Sequence, residues 1–429
     1  MKSKILFPLA ILVLTACTGG ESGHDAPGMD QVAREYLFLE LSMGLHDPGH
    51  VDAYFGPEEI RDAANKTRLA VDEIGERVDA LRLQIDALPA ATGELEQMRI
   101  DGLVGRLLAL ETRIAMMMGE KLSFDEESRR LFGAAAPDHD AGYFQAILDE
   151  IDELVGGEGP LSERTVAFRD QFVIPPDKLD EVFDAAIAEC RRRTLLYIDL
   201  PENESFTLEY VNDKPWSGYN WYQGNWQSLI QINTDLPILI SRAVDLGCHE
   251  GYPGHHTFNA LLEKNLVDDK GWLEFSLYPL FSPQSLIAEG SGNYGIDLAF
   301  PGEERIAFER DVLFPLAGLD SANADRFYEL LELLARLDYA GNEAARDYLN
   351  GTITRSEAVQ WLVDYALTSP ERARQRTEFF DTYRSYVINY NLGKDIVRAY
   401  VERDGAGEAQ RWTRFEQMLS SPMTAADLQ

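Results

Sequence analysis

The stretch that decides the fold is residues 248–256, which read CHEGYPGHH. The chain has seven histidines, and this short stretch holds three of them. Neutral imidazoles and carboxylates are the protein ligands that zinc takes in catalytic sites, where a water molecule completes the set. The stretch therefore predicts a zinc site.

The spacing of these histidines requires a break in the helix that carries them. On an uninterrupted α-helix, His249 and His256 would share a face but lie about 10.5 Å apart along the axis. His255 would point well round the cylinder. Pro253 removes a backbone donor and the flanking glycines permit unusual dihedrals, so a local distortion is expected here. The alternative is a helix–turn–helix corner whose histidines bond only to the backbone.

A third ligand is expected downstream, in AEGSGNY at 288–294, where Glu289 follows a mildly apolar approach. The alternative is that Glu289 caps a helix. Asp245 and Asp297 are candidate acceptors that would orient the ligand imidazoles, or else simple surface charges.

These motifs resemble the bacterial family called domain of unknown function 885, which is grouped with the zincin metallopeptidases. The resemblance covers most of the mature chain and rests on HEGYPGHH (249–256), AEG (288–290), YNLGK (390–394), DAYFGP (52–57) and QINTD (231–235). The sequence departs from the family at Ser291-Gly292, where relatives are expected to carry a larger, aromatic-bearing segment. That departure leaves the shape of the neighbouring pocket open.

The resemblance implies a set of site residues: His249, His255 and Glu289 as ligands of one zinc ion, Glu250 as the acid and base, and Tyr390 near the metal. Whether His255 or His256 binds the metal stays open, with His255 favoured. His256 would then be a hydrogen-bond donor near the substrate. Tyr390 or His256 would stabilise the developing oxyanion.

The rest of the chain predicts a mainly α-helical protein, which the resemblance makes a large zincin-like fold of the gluzincin type. Residues 31–200 form an N-terminal helical region, and 201–429 a small sheet with the helical metal-site region, together one compact unit. Ser123, Thr354 and Ser369 are expected to cap helices. Alternating apolar residues predict one small antiparallel sheet near 205–235. Its strand Ser228–Asn233 is a candidate for aligning an extended peptide by backbone pairing.

The N-terminus predicts export and lipidation. Lys2 and Lys4 precede an apolar run too short to span a bilayer, and LTAC at 14–17 resembles the lipobox of bacterial lipoproteins. Residues 1–16 would be a signal peptide, Cys17 the lipidated residue and 17–30 a flexible tether. Because no Asp follows Cys17, the outer membrane, facing the periplasm, is favoured. The alternative is an ordinary signal peptide in which Cys17 is incidental.

The net charge limits the partners that the protein can bind. A net charge of −34 opposes binding to nucleic acid and to anionic lipid heads, so membrane contact is expected only through the Cys17 lipid.

Cys190 and Cys248 lie in apolar helical patterns. They are predicted to be small buried hydrophobic residues, although the compartment permits a disulfide.

The leading hypothesis is a zinc-dependent metallopeptidase that cleaves short peptides in the cell envelope. Glu250 would take a proton from water and pass it to the leaving amine. Arg384, Lys394 and Arg398 are candidates for holding a terminal carboxylate. The alternatives are hydrolysis of a non-peptide amide or ester, and a non-catalytic lipoprotein that binds peptide or metal. The intact Glu250 favours an enzyme.

Overall fold

The computed structural model describes residues 28–429, and most of them are helical. The α-helices are α1 (Met29–Gly44), α2 (Glu58–Thr67), α3 (Val71–Asp86), α4 (Glu94–Met117), α5 (Phe124–Phe132), α6 (Ala141–Val155), α7 (Leu161–Arg169), α8 (Leu179–Thr194), α9 (Ser241–Leu246), α10 (His255–Leu262), α11 (Pro283–Ala299), α12 (Glu303–Phe308), α13 (Phe314–Ala317), α14 (Ala324–Ala335), α15 (Tyr339–Asn350), α16 (Arg355–Tyr365), α17 (Pro370–Tyr383), α18 (Ile388–Glu402) and α19 (Glu408–Leu419). The predicted mainly α-helical class is confirmed. The predicted signal peptide and Cys17 lie outside the described residues.

Shorter elements complete the chain. The strands are β1 (Val51–Tyr54), β2 (Ser205–Val211), β3 (Gly218–Gly224), β4 (Gln227–Asn233) and β5 (Leu277–Pro279). Three segments are π-helical: Gly247–Gly251, Glu263–Asp268 and Glu309–Leu313. Short 3-10 turns occupy Asp170–Phe172, Pro176–Lys178, Leu273–Ser276, Ser321–Asn323, Arg384–Val387 and Arg403–Gly405. Among residues 28–429, no helix combines the length and the apolar character needed to cross a bilayer.

The sheet lies where the alternating pattern predicts it, and its strand order is β2-β4-β3. β3 and β4 pair antiparallel as predicted, whereas β2 and β4 pair in parallel. Because β4 is the central strand, both of its backbone edges are already hydrogen-bonded. The prediction that Ser228–Asn233 aligns a peptide by backbone pairing is therefore wrong. A second, two-stranded sheet joins β1 to β5 and ties the N-terminal region to the segment before α11.

Local capping chemistry starts three helices as predicted. The Ser123 hydroxyl accepts a hydrogen bond from the backbone at the start of α5. Thr354 and Glu357 form a reciprocal capping box before α16, and Ser369 caps α17 with Pro370 at its first position. Each cap satisfies backbone donors that would otherwise lack a partner at a helix start.

Close packing of α11 on α18 positions the functional region. α11 is buried along nearly its whole length. A Cβ atom on Gly290 would lie 2.5 Å from the carbonyl carbon of Gly393, so both helices approach backbone to backbone at this point. This contact fixes Glu289 of α11 beside the first turns of α18, which carry Tyr390.

Cys190 and Cys248 form a disulfide, with their Cα atoms 5.5 Å apart. The prediction of two separate buried thiols is therefore wrong. Both cysteines are fully buried, as expected, but α8 packs directly against the π-helical segment Gly247–Gly251 and brings the two sulfurs together. The link anchors the backbone immediately before His249.

Candidate metal centre

The predicted break in the helix is present at the histidine stretch. α9 runs into the π-helical turn Gly247–Gly251, and α10 begins afresh at His255. The linking residues 252–254 include a cis Tyr252–Pro253 bond, and the Gly254 amide donates to the Cys248 carbonyl at 2.9 Å. The rings of His249 and His255 meet edge to face, with centroids 4.6 Å apart and planes at 84°. A π-helical turn is a recurrent device at functional sites.

His249, His255 and Glu289 converge on one point. One ligand atom from each lies within 4.8 Å of the other two. Glu289 Oε2 is 3.1 Å from His249 Nε2 and 3.8 Å from His255 Nε2. Zinc bonds of about 2.0–2.1 Å in tetrahedral geometry separate ligand atoms by roughly 3.4 Å, so this spacing fits one ion.

The hydrogen bonding of Glu289 also fits a metal ligand. Oε2 is buried, and no group in residues 28–429 donates a hydrogen bond to it. Its other oxygen accepts a hydrogen bond from the Tyr386 hydroxyl at 2.7 Å. A buried carboxylate oxygen without a donor is costly unless a cation satisfies it. Tyr386, which the sequence analysis missed, therefore orients Glu289 so that Oε2 faces the two histidines.

The orientation of His249 comes from Asn293 of α11. Asn293 Oδ1 lies 3.2 Å from His249 Nδ1, and its amide nitrogen donates to the Tyr390 carbonyl at 2.9 Å. The predicted acceptors, Asp245 and Asp297, are instead paired with cations. Asp245 binds Arg305, and Asp297 binds Arg398. The amide oxygen of Asn293, one turn after Glu289, thus orients the His249 imidazole, a role that was expected of a carboxylate.

Burial and neighbouring charges set the ionisation of the ligands. Burial, followed by the charge of His249, lowers the pKa of His255 to about 4. A neutral imidazole at physiological pH is the form that binds a metal. Although burial opposes it, the adjacent imidazoles of His249 and His255 hold the pKa of Glu289 below its usual range.

Glu250 lies beside the ligands without joining them. It is buried, and its carboxylate does not belong to the ligand cluster. Burial, with a further contribution from the charge of Glu289, raises the pKa of Glu250 to about 7. Strand β3 holds its backbone because the Asn220 side-chain amide donates to the Glu250 carbonyl at 2.7 Å. Gly218 packs so closely that an added Cβ would lie 2.8 Å from Glu250 Oε1.

Asp52 of β1 also faces the centre. Burial, followed by the charges of Glu289 and Glu250, raises the pKa of Asp52 to about 8. The Tyr219 hydroxyl of β3 donates a hydrogen bond to it. Asp52 begins the DAYFGP stretch that supported the resemblance, yet no role was assigned to it from the sequence.

The contacts of His256 contradict the prediction that it is a hydrogen-bond donor near the substrate. Its Nδ1 lies 2.8 Å from Ser228 Oγ and its Nε2 lies 2.9 Å from Glu204 Oε2. The ring is fully buried, so neither nitrogen is free to contact a substrate. Because His256 follows His255 by one residue on the helix, its side chain points in a different direction, toward the sheet. His256 instead fixes the start of α10 against β4 and Glu204.

Tyr390 lies beside the centre as expected. Its ring centroid is 5.8 Å from that of Tyr386, whose hydroxyl holds Glu289. Burial, followed by the nearby charges of Glu289 and Glu250, raises the pKa of Tyr390 well above its ordinary value. Its role as an oxyanion donor stays a prediction.

The cations expected to hold a carboxylate are engaged elsewhere. Arg384 pairs with buried Glu127, with a nitrogen–oxygen distance of 2.7 Å. Lys394 and Arg398 both pair with Asp297. None of the three is available to a substrate without breaking an ion pair.

Gly292→Ala is expected to weaken zinc binding by about 10–100-fold, the usual effect of disturbing a residue that orients a ligand. An added Cβ would lie 2.9 Å from His249 Cε1 and Nδ1, so the ring must move. Gly341→Ala is the matched control, because this buried helical glycine has no atom within 4 Å of the added Cβ. Competition titration against a zinc chelator measures both affinities. Wild-type affinity in Gly292→Ala would show that His249 does not need its present position.

Comparisons with known proteins give only distant likenesses. No protein-family model matches the chain, and no curated protein matches it. A crystal structure described as a candidate lipoprotein from Colwellia psychrerythraea is 15% identical, with a TM-score of 0.48 over 92% of this chain and 77% of that one. The M32 carboxypeptidase from Deinococcus radiodurans R1 is 13% identical, with a TM-score of 0.47 over 90% and 89%. The protein named BsuCP is 12% identical, with a TM-score of 0.45 over 91% and 88%. Because no family model matches, membership of the domain of unknown function 885 family stays a prediction.

Proposed function

We propose that the chain is a zinc-dependent hydrolase that cleaves peptide bonds in short peptides. The observation that carries this proposal is the cluster of His249, His255 and Glu289, in which a buried carboxylate oxygen without a hydrogen-bond donor faces two imidazole nitrogens. Two imidazoles and one carboxylate form a three-ligand set of the kind used in catalytic zinc sites. A closed structural site uses four protein ligands, so the ligand number favours catalysis.

Zinc, when bound, supplies a Lewis acid that polarises a substrate carbonyl and lowers the pKa of water. The chain's own residues supply the proton transfer. Glu250 is next to a ligand in sequence, and no residue of 28–429 donates a hydrogen bond to its carboxylate. It is therefore placed to take the proton of the attacking water and to deliver it to the leaving amine.

Stabilisation of the oxyanion is assigned to Tyr390. Its hydroxyl lies within the electrostatic reach of both Glu289 and Glu250. Tyr386 already donates to Glu289. One such donor contributes roughly 3–4 kcal/mol to transition-state stability.

The proposed location is the cell envelope, through a lipid on Cys17. The LTAC sequence at 14–17 supports this, as does the Cys190–Cys248 disulfide, because disulfides persist in oxidising compartments outside the cytoplasm. The favoured membrane is the outer one.

A library of short peptides tests the proposed activity. The detergent-solubilised mature protein, loaded with zinc, is expected to cleave members of the library, and mass spectrometry identifies the products. Chelation should abolish cleavage, and added zinc should restore it. Cleavage of amides or esters alone would favour the alternative hydrolase. Zinc binding without any cleavage would favour the non-catalytic alternative.

A further inference from the structure

Arg376 of α17 is a half-buried cation without a counter-ion. Its guanidinium carbon lies 4.8 Å from the centroid of the Phe379 ring and 5.9 Å from that of the Tyr390 ring. Within residues 28–429 it forms neither a salt bridge nor a hydrogen bond, and Asp338 acts on it only from beyond salt-bridge distance. Burial lowers the pKa of Arg376, while the charges of Tyr390 and Asp338 oppose that shift. The chain has 73 acidic and 39 basic residues, so a missing partner is unexpected. Charges that leave water are normally paired, which points to an anion supplied by a ligand.

Arg376 lies on α17 between Arg372, which lines a cavity, and the part of the helix that packs on Tyr390. Positions 372, 376, 379 and 383 of α17 share one helical face. Arg372, at one end of that face, lines a cavity of about 460 Å³. The other end lies beside Tyr390, whose hydroxyl feels the charges of Glu289 and Glu250.

The opposite wall of the cavity leads to the same centre. It includes Arg242 and Leu246 of α9, about two turns and one turn before His249 respectively. Gly218, which packs on Glu250, also touches Leu246. Leu246 thus lines the cavity on one side and packs near Gly218, the neighbour of Glu250, on the other.

Arginines outnumber acidic residues in the lining of this cavity, and one of them, Arg242, pairs with Asp245. Arg169, Arg242 and Arg372 all line it, against the acidic residues Asp170 and Glu371. Burial and the charge of Arg372 lower the pKa of Arg169 to about 10, and burial and the charge of Arg242 lower that of Arg372. The positive charges of these arginines thus act on one another, in a chain whose net charge is −34.

We propose that Arg376, beside Tyr390 and one helical turn from the arginine-lined cavity, binds a carboxylate of the substrate, so that the site selects peptides bearing a carboxylate near the cleaved bond. The inference rests on the proposed function. The planar guanidinium matches a carboxylate with two parallel hydrogen bonds. The carboxylate is either the free C-terminus or an acidic side chain.

One peptide in three forms tests this: the free acid, the C-terminal amide, and the amide with Asp as its last residue. The wild type is expected to cleave the free acid about 100-fold faster, in kcat/KM, than the amide. Arg376→Gln should lose this preference by slowing only the acid. Cleavage of the Asp amide at the rate of the acid would identify a side-chain carboxylate as sufficient. Arg374→Gln is the matched control, since Arg374 is exposed on the same helix and pairs with Glu371 at 3.0 Å.

An unchanged acid-to-amide ratio in Arg376→Gln, or equal rates for acid and amide in the wild type, would overturn the inference while leaving the proposed function intact. If the wild type cleaves none of the peptides, the proposed function fails, and calorimetry with the same acid and amide decides the inference. Binding of the acid that is lost in Arg376→Gln supports it. Equal binding of acid and amide overturns it.

Discussion

Glu250→Gln is expected to lower kcat by about 10³-fold while the protein keeps its zinc. The amide has the shape of the carboxylate but cannot take a proton from water. Glu250 is buried beside the ligand cluster without belonging to it, so the metal should stay bound. Steady-state hydrolysis of a cleaved peptide and elemental analysis of the same sample measure both properties.

Glu263→Gln is the control for this substitution. Glu263 is also a buried glutamate in a π-helical segment, but it accepts hydrogen bonds from the Tyr222 hydroxyl and the Asn225 amide. The donors reach both carboxylate oxygens and glutamine has one acceptor oxygen, so this variant loses at least one of these bonds and some stability. Glu263 lies outside the ligand cluster, so kcat of the folded protein should change little. A kcat for Glu250→Gln within tenfold of the wild type would remove Glu250 from the mechanism.

His255→Ala is expected to lose zinc affinity by about 10³-fold, because four-ligand sites bind zinc with roughly 10–16 kcal/mol and each ligand carries a similar share. Saturating zinc at about 1,000 times its dissociation constant stabilises a folded protein by about 4 kcal/mol. That stabilisation should be present in the wild type and absent from His255→Ala. Thermal denaturation with and without zinc measures it.

His256→Ala, which changes the adjacent residue, is expected to keep the stabilisation by zinc that His255→Ala loses. Removing this ring leaves the buried Ser228 hydroxyl and the Glu204 carboxylate each without one partner. The metal-free protein should lose about 1–3 kcal/mol of stability, yet still be stabilised by zinc. If instead His256→Ala loses the response to zinc and His255→Ala keeps it, the ligand assignment is reversed.

Those features of the site that depend on local chemistry were predictable. The glycines and Pro253 make a continuous helix unfavourable, and the structure has its π-helical turn at Gly247–Gly251. Caps at Ser123 and Thr354 depend on residues within one turn. Glu289 was accessible for a different reason: it follows a mildly apolar approach in the first half of α11, the next α-helix after the histidine stretch.

Features that depend on distant parts of the chain were not predictable. The choice between His255 and His256 is set by Glu204, which lies 52 residues before His256 and pairs with it. The disulfide joins cysteines separated by 58 residues. The roles of Tyr386 and Arg376 likewise follow from which side chains α11 and α18 bring near them. No periodicity within one segment encodes such contacts.

The zinc content of the purified mature protein tests the central claim most directly. Elemental analysis is made on protein prepared without added metal and again after dialysis against zinc. The geometry of His249, His255 and Glu289 predicts about one zinc ion per chain after dialysis. A protein that remains free of zinc after dialysis would contradict the account, because the histidine stretch would then serve the fold alone.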